Sequence, residues 1–230
     1  MKNWIYIIIG LLSINLNAQI ISDESHLDLE FLKFKNKLLS IVIDKDVTKI
    51  KSMLADTIFE SNNGCGYPGC PKKEFMEMYF NQSQADDTWN EFFQVIRFGF
   101  ERVDNEDKNI GVLHDKIVFK GPSYKRKIDE DNEVLILGEN VNIREKPSLN
   151  AKVIRISSYE KFNCDCNITT LKKSTYQTNK GIDWLEIKLE NGTYGYVSAD
   201  LTSYNLTKEI TIGKVNGKWK VVSFFQPSGC

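Results

Sequence analysis

The sequence predicts an α+β protein in two parts: a helical N-terminal domain with a small antiparallel sheet, and a small β-barrel inserted before the final hairpin. Three observations predict it. Apolar residues between Glu24 and Val95 recur largely three and four apart, the period of helices that bury one face. From Glu133 to Tyr204 they fall instead into short, alternating runs divided by polar turns. Beyond these, Asn216-Gly217 joins two more such runs, a hairpin signal, and a lone hairpin needs a sheet to join.

The chain has 230 residues, and its start reads as a removable signal. Met1-Lys2-Asn3 is weakly basic, Trp4 to Leu12 is apolar, and Ala18 offers a small residue before Gln19. This is the three-part layout of a secretory signal peptide over residues 1–18, and its apolar run is too short to span a bilayer. Leu16 fits the cleavage pattern poorly. No later segment is apolar enough to cross a membrane, so the expected location is periplasmic or secreted.

In order, Leu27, Leu29, Phe31, Leu32, Phe34, Leu38, Leu39 and Val42 predict a helix from Glu24 to Ile43. Asp46 can cap a second helix, with Val47, Ile50, Met53 and Leu54 on one face. Ser61 to Cys70 is a loop by composition, and Pro71 opens a short helix bearing Phe75, Met76, Tyr79 and Phe80. Ala85 to Val95 follows as a helix with Trp89, Phe92 and Phe93 inward. Arg97 to Val103 reads as a strand or a helix-to-strand transition, and Gly111 to Phe119 as a second strand. Tyr124 to Asn132 is a charged linker. The final hairpin, Glu209–Val215 and Lys218–Phe225, is expected to pair with the 111–119 strand. The α+β domain would then comprise 22–122 plus 207–230, and the barrel 133–204.

The barrel region carries a family resemblance. Val134-Leu135-Ile136-Leu137 leads into Asn142-Ile143-Arg144 with Pro147-Ser148. Val153-Ile154-Arg155-Ile156, Trp184-Leu185-Glu186-Ile187 and Gly195-Tyr196-Val197 follow in that order. Together they resemble the bacterial SH3 (SH3b) domain. The resemblance implies an SH3-like barrel with a shallow groove for a peptide or peptidoglycan fragment. It points to Asn142, Arg144, Trp184, Tyr194 and Tyr196 as ligand contacts. Arg144 suits a carboxylate and the rings offer flat contact area, while Asn142 and Arg144 holding the turn and Trp184 capping the barrel are the structural alternatives. Asn163 to Gly181 departs from the family as a long polar insertion. The last strand, Gly217 to Phe224, is similar to that of small exported α+β domains, including cystatin-like and NTF2-like folds.

Chemistry is sparsely provided. Of five cysteines, Cys65 and Cys70 flank a tight Gly/Pro loop and form the favoured disulfide. Cys164 and Cys166, two apart, would be strained as a pair on a strand, and Cys230 is unassigned. His26 and His114 lie in no recognisable motif, so no Cys–His catalysis is expected. The C-x4-C and C-x-C spacings are not those of zinc sites, and neither metal nor cofactor is expected. Asp86-Asp87 and Asp129-Glu130-Asp131 read as solvated carboxylates. Gly64, Gly66 and Gly69 match a dinucleotide fingerprint by letters only, since no strand precedes them. With 30 basic and 31 acidic side chains, the chain offers no basic stripe for nucleic acid. The leading expectation is an exported, non-enzymatic binding module. The alternatives are a wall hydrolase with its site in the N-terminal domain and a structural or inhibitor-like interaction protein.

Overall fold

A computed structural model describes residues 21–60, 65, 69–81, 85–104, 117–166, 176–206 and 208–225. The expected signal peptide, His114 and Cys230 lie outside them.

The expected first helix is divided at Asp28. Asp23 caps a single 3-10 turn, Glu24–Leu27. Asp28 is extended at φ −136°, and its carboxylate accepts the Phe31 amide at 2.9 Å. The helix α1 therefore begins at Leu29 and runs Leu29–Ile43. A side-chain acceptor at each start supplies a partner for an otherwise unpaired amide, so both starts are stable. Leu27 and Leu29, counted in the apolar stripe, are in fact 58% and 69% exposed. The second helix, α2 (Val47–Met53), is capped by Asp46, which accepts from the Lys49 amide at 2.8 Å. It is shorter than expected, because Leu54 turns extended and opens β1 (Leu54–Phe59), a strand the sequence did not reveal. There follow β2 (Cys70–Pro71), α3 (Lys72–Phe80), α4 (Ala85–Arg97), β3 (Glu101–Asp104) and β4 (Ile117–Gly121).

The fold is mixed α+β, with two sheets. The first sheet is completed by β12 (Glu209–Val215) and β13 (Lys218–Phe225), in the order β2-β1-β13-β12-β4-β3. The hairpin forms where Asn216-Gly217 announces it, with φ of 51° and 73° supplying the left-handed pair such a turn needs. β12 lies antiparallel to β4, with Ile210 opposite Gly121 and Ile212 opposite Phe119. The sheet is not wholly antiparallel as expected: β1 runs parallel to β13, with Leu54 opposite Val221.

Helices pack on this sheet through aromatic rings. Phe31 stacks on Phe119 with centroids 3.6 Å apart, and Phe100 and Trp219 meet it edge-on. Phe224 sits among Phe75, Tyr79 and Phe92. Such pairs contribute about 0.5–1.5 kcal/mol each beyond burial, and here they fill the space between helices and sheet.

The second sheet is built from β5 (Glu133–Leu135), β6 (Val141–Arg144), β7 (Val153–Ser157), β8 (Lys161–Asn163), β9 (Tyr176–Asn179), β10 (Ile182–Lys188) and β11 (Tyr194–Ser198). All these strands lie between β4 and β12 in sequence. Their order is β5-β8-β10-β11-β6-β7, with β9 also on β10, and the sheet curls into a half-barrel. Val134, Ile136, Ile143, Leu185, Ile187 and Val197 form a core distinct from the first.

The two sheets meet along β5. Val134 and Ile136 enter the second core, whereas Leu135 enters the first and Leu137 packs on it. Ser203 grips the strand, its Oγ accepting the Leu135 amide at 3.0 Å and its own amide donating to the Leu135 carbonyl at 2.8 Å. The charged linker is partly interior. Tyr124 is fully buried, and Lys125 places its ammonium 3.1 Å from Glu130 and 3.7 Å from Glu209. Burial holds the Glu209 carboxyl above its usual range, against the pull of Lys125.

Candidate functional site

Strand alternation decides which side chains of the second sheet face outward. Leu185, Ile187 and Val197 point into the core, so their neighbours Trp184, Glu186, Lys188 and Tyr196 take the opposite face. Register sets these into rows. Glu186 stands opposite Tyr196, Tyr196 opposite Arg144, and Arg144 opposite Val153. Lys188 stands opposite Tyr194 on one side and Asn163 of β8 on the other. Gly195 between the tyrosines is required by packing: a Cβ there would lie 2.5 Å from Ile143 Cγ2.

The five residues singled out by resemblance share this region but not one role. Trp184 is 2% exposed, and its indole N–H has no partner among the described residues. Arg144 is half-buried and donates to the Ala151 carbonyl at 2.8 Å, which holds the β6–β7 turn. Asn179 at the end of β9 donates to the Pro147 carbonyl of the same turn at 2.6 Å, drawing the two sides of the curl together. Tyr196 is half-buried and donates its hydroxyl to Glu186. Burial and then that carboxylate push its pKa up to about 12. Tyr176 is pushed up to about 12 in the same way, by burial and by Asp183. Asn142 is exposed, and Tyr194 is 56% exposed. The Trp184 end is therefore closed and the Tyr194 end open.

Lys188 joins the open end to a feature the sequence did not reveal. A groove of about 560 Å³ runs past β8 and the β10–β11 turn, lined by Glu160, Lys161, Asn163, Lys188, Glu190 and Gly192. Arg155 lies beside it, bonded to Glu160 and 5.1 Å above the Phe162 ring. The groove thus offers both signs of charge within reach of an exposed aromatic ring. No motif marks it, because its residues come from two stretches with no shared spacing. Beyond the groove, Ile154 and Ile156 of the edge strand β7 are 37% and 60% exposed, with Ile156 opposite Asn142.

The chemical groups elsewhere are engaged structurally. Cys65 and Cys70 are bridged as expected, with Cα atoms 5.0 Å apart. Cys164 and Cys166 are bridged too, at 5.2 Å. The sequence argument placed that pair on a strand, where two residues span about 6.6 Å. In fact β8 ends at Asn163, and the bent backbone beyond it brings them within bridging range. Asp86 pairs with Lys45 at 2.6 Å, and Asp129 accepts from Asp131 and Asn132 to shape a turn. His26 is exposed beside the Asp23 carbonyl. Among the described residues no three His, Cys, Asp or Glu side chains gather as metal ligands. Also among them, no helix is long and apolar enough to cross a membrane. No family model, curated protein or solved structure matches the chain.

Proposed function

We propose that this chain is an exported, non-enzymatic binding protein whose second sheet is an SH3b-like barrel inserted in the α+β domain. Its ligand is a short peptide or peptidoglycan stem fragment, laid from Tyr194 across Lys188 into the adjoining groove. The observation that carries this reading is the position of Lys188, in register with both exposed Tyr194 and groove-lining Asn163. A stem peptide carries amine and carboxylate groups on a thin backbone. Lys161 and Lys188 would meet its carboxylates, Glu160 and Glu190 its amine, and the Tyr194 ring its apolar atoms at little entropic cost. Arg144 and Tyr196 hold the shape of this surface, while Asn142 falls in register toward Ser198 and Trp184 at the closed end. Two bridged cysteine pairs accord with an oxidising, extracytoplasmic setting.

The test is retention of the whole chain on insoluble peptidoglycan. The fragment 133–204 is unsuitable, because it would bare Leu135 and Leu137, which pack in the first core. The intact protein should be retained, and Tyr194→Ala and Lys188→Glu should each lose most of that retention with unchanged melting temperatures. An intact protein that washes through would overturn the reading.

A further inference from the structure

The two disulfides stand in different relations to the fold. Cys70 is fully buried in the first core and opposite Ile58 of β1, so its bond to Cys65 fixes a loop onto the first sheet. Cys164 and Cys166 are two residues apart, so their bond joins no second element. A loop that short restrains almost nothing in the unfolded chain, and the entropic gain from a bridge falls with loop length. Nor does the local backbone depend on it: the Cys164 amide donates to the Asn132 carbonyl at 2.9 Å, and the Cys166 amide to the Asp131 carbonyl at 3.0 Å. Both hydrogen bonds can persist when the sulfurs part. The two cysteines also differ in exposure. Cys164 is half-buried, whereas Cys166 is 4% exposed and belongs to the second core. Asn163, the preceding residue, lines the open groove.

We infer that Cys164–Cys166 is a thiol–disulfide exchange site, which takes low-molecular-weight thiols or exposed cysteines of other exported chains. This role is independent of any ligand at Tyr194. An incoming thiolate attacks Sγ of Cys164, the more exposed of the two residues. The Cys164–Cys166 bond breaks, a mixed disulfide forms at Cys164, and Cys166 leaves as a thiolate that takes a proton from water. A second thiolate attacks the incoming sulfur, releasing the oxidised thiol pair and leaving Cys164 and Cys166 reduced. Two thiols are oxidised for one protein disulfide reduced. Run in reverse, the dithiol reduces a disulfide, with Cys164 attacking and Cys166 resolving.

The experiment titrates the folded full chain, in a Cys230→Ser background, with glutathione buffers of graded poise. Alkylation and peptide mass mapping read each cysteine pair, and circular dichroism reads the fold. The expected result is that Cys164 and Cys166 become alkylatable at a more oxidising poise than Cys65 and Cys70, with the native spectrum retained. Opening of the 164–166 pair only together with the other pair, or only on unfolding, would overturn the proposal. A second measurement uses single variants with oxidised glutathione. Cys166→Ser, which leaves Cys164 free, should gain one glutathionyl group rapidly, and Cys164→Ser should gain it at least tenfold more slowly. Equal rates in two folded variants would also overturn it. Should either variant fail to fold, the titration of the Cys230→Ser chain decides alone.

Discussion

Leu135 and Ile136 are consecutive residues whose side chains lie in different cores. Leu135 is buried in the first core, and Ile136 is buried in the second. Val134, the residue before Leu135 in β5, is also in the second core, so the divide between the two packed bodies passes through a strand and not through a loop. Leu135→Ala should lower stability by about 2–5 kcal/mol, the usual range for a truncated core leucine. Because the bodies share β5, chemical denaturation should remain one transition by circular dichroism and by tryptophan fluorescence. Two separated transitions in the wild type would show that the strand does not couple them.

Trp184 and Tyr194 should separate stability from binding. Trp184→Ala removes a fully enclosed ring and should cost about 3–5 kcal/mol in urea denaturation. Tyr194→Ala removes an exposed ring and should alter stability by no more than about 0.5 kcal/mol. In the peptidoglycan assay the order reverses, with Tyr194→Ala losing retention while still fully folded.

Gly195→Ala should cost about 1–3 kcal/mol through overpacking against Ile143. The double variant Gly195→Ala/Ile143→Ala should be less destabilised than the sum of the two single variants, since removing Ile143 Cγ2 makes room for the added methyl. A coupling energy near zero in the four-protein cycle would refute the contact.

Asp23 sets an acid limit. Burial raises its pKa, but Lys35, the Ser25 hydroxyl and the Phe100 amide all bond its carboxylate, and the net effect is a lowered value. A carboxylate depressed on folding contributes stability that is present above its unfolded pKa of about 3.9 and is lost as pH falls through its folded value. Asp23→Asn keeps a capping oxygen but loses the charge that pairs with Lys35, and should destabilise at neutral pH by no more than about 1 kcal/mol. It should also flatten the stability profile below pH about 4. Urea midpoints measured from pH 7 to pH 2.5 check both.

What the sequence made legible follows from the range of each interaction. The Asn216-Gly217 hairpin was readable because two residues determine the turn, and α4 because Trp89 and Phe92 fall at helical spacing on a face that is buried. The expected helix from Glu24 to Ile43 is longer than α1, since the Asp28 amide closes the first turn on Ser25 while its carboxylate caps the next segment. β1 was missed because its stability comes from β13, far along the chain, and not from its own alternation. At the candidate site the motif gave the positions of Trp184 and Tyr194 but not their opposite exposures, which depend on how the sheet curls. The groove at Lys188 needed β8 and β10 side by side, and no local pattern encodes that neighbourhood.

The placement of β13 bears on how the molecule comes to exist. The helices α1, α3 and α4 rest on a sheet whose two central strands, β13 and β12, are the last to be made. Throughout synthesis Phe31, Phe75 and Phe92 have no Phe224 or Trp219 to meet, and the whole curled sheet is completed before their partners arrive. Contacts between such distant stretches form slowly and leave apolar surface uncovered meanwhile. A chain released just short of Lys218 would leave Phe31, Phe75 and Phe92 without their partners on β13, and that truncated form is the one with the greatest need of a chaperone.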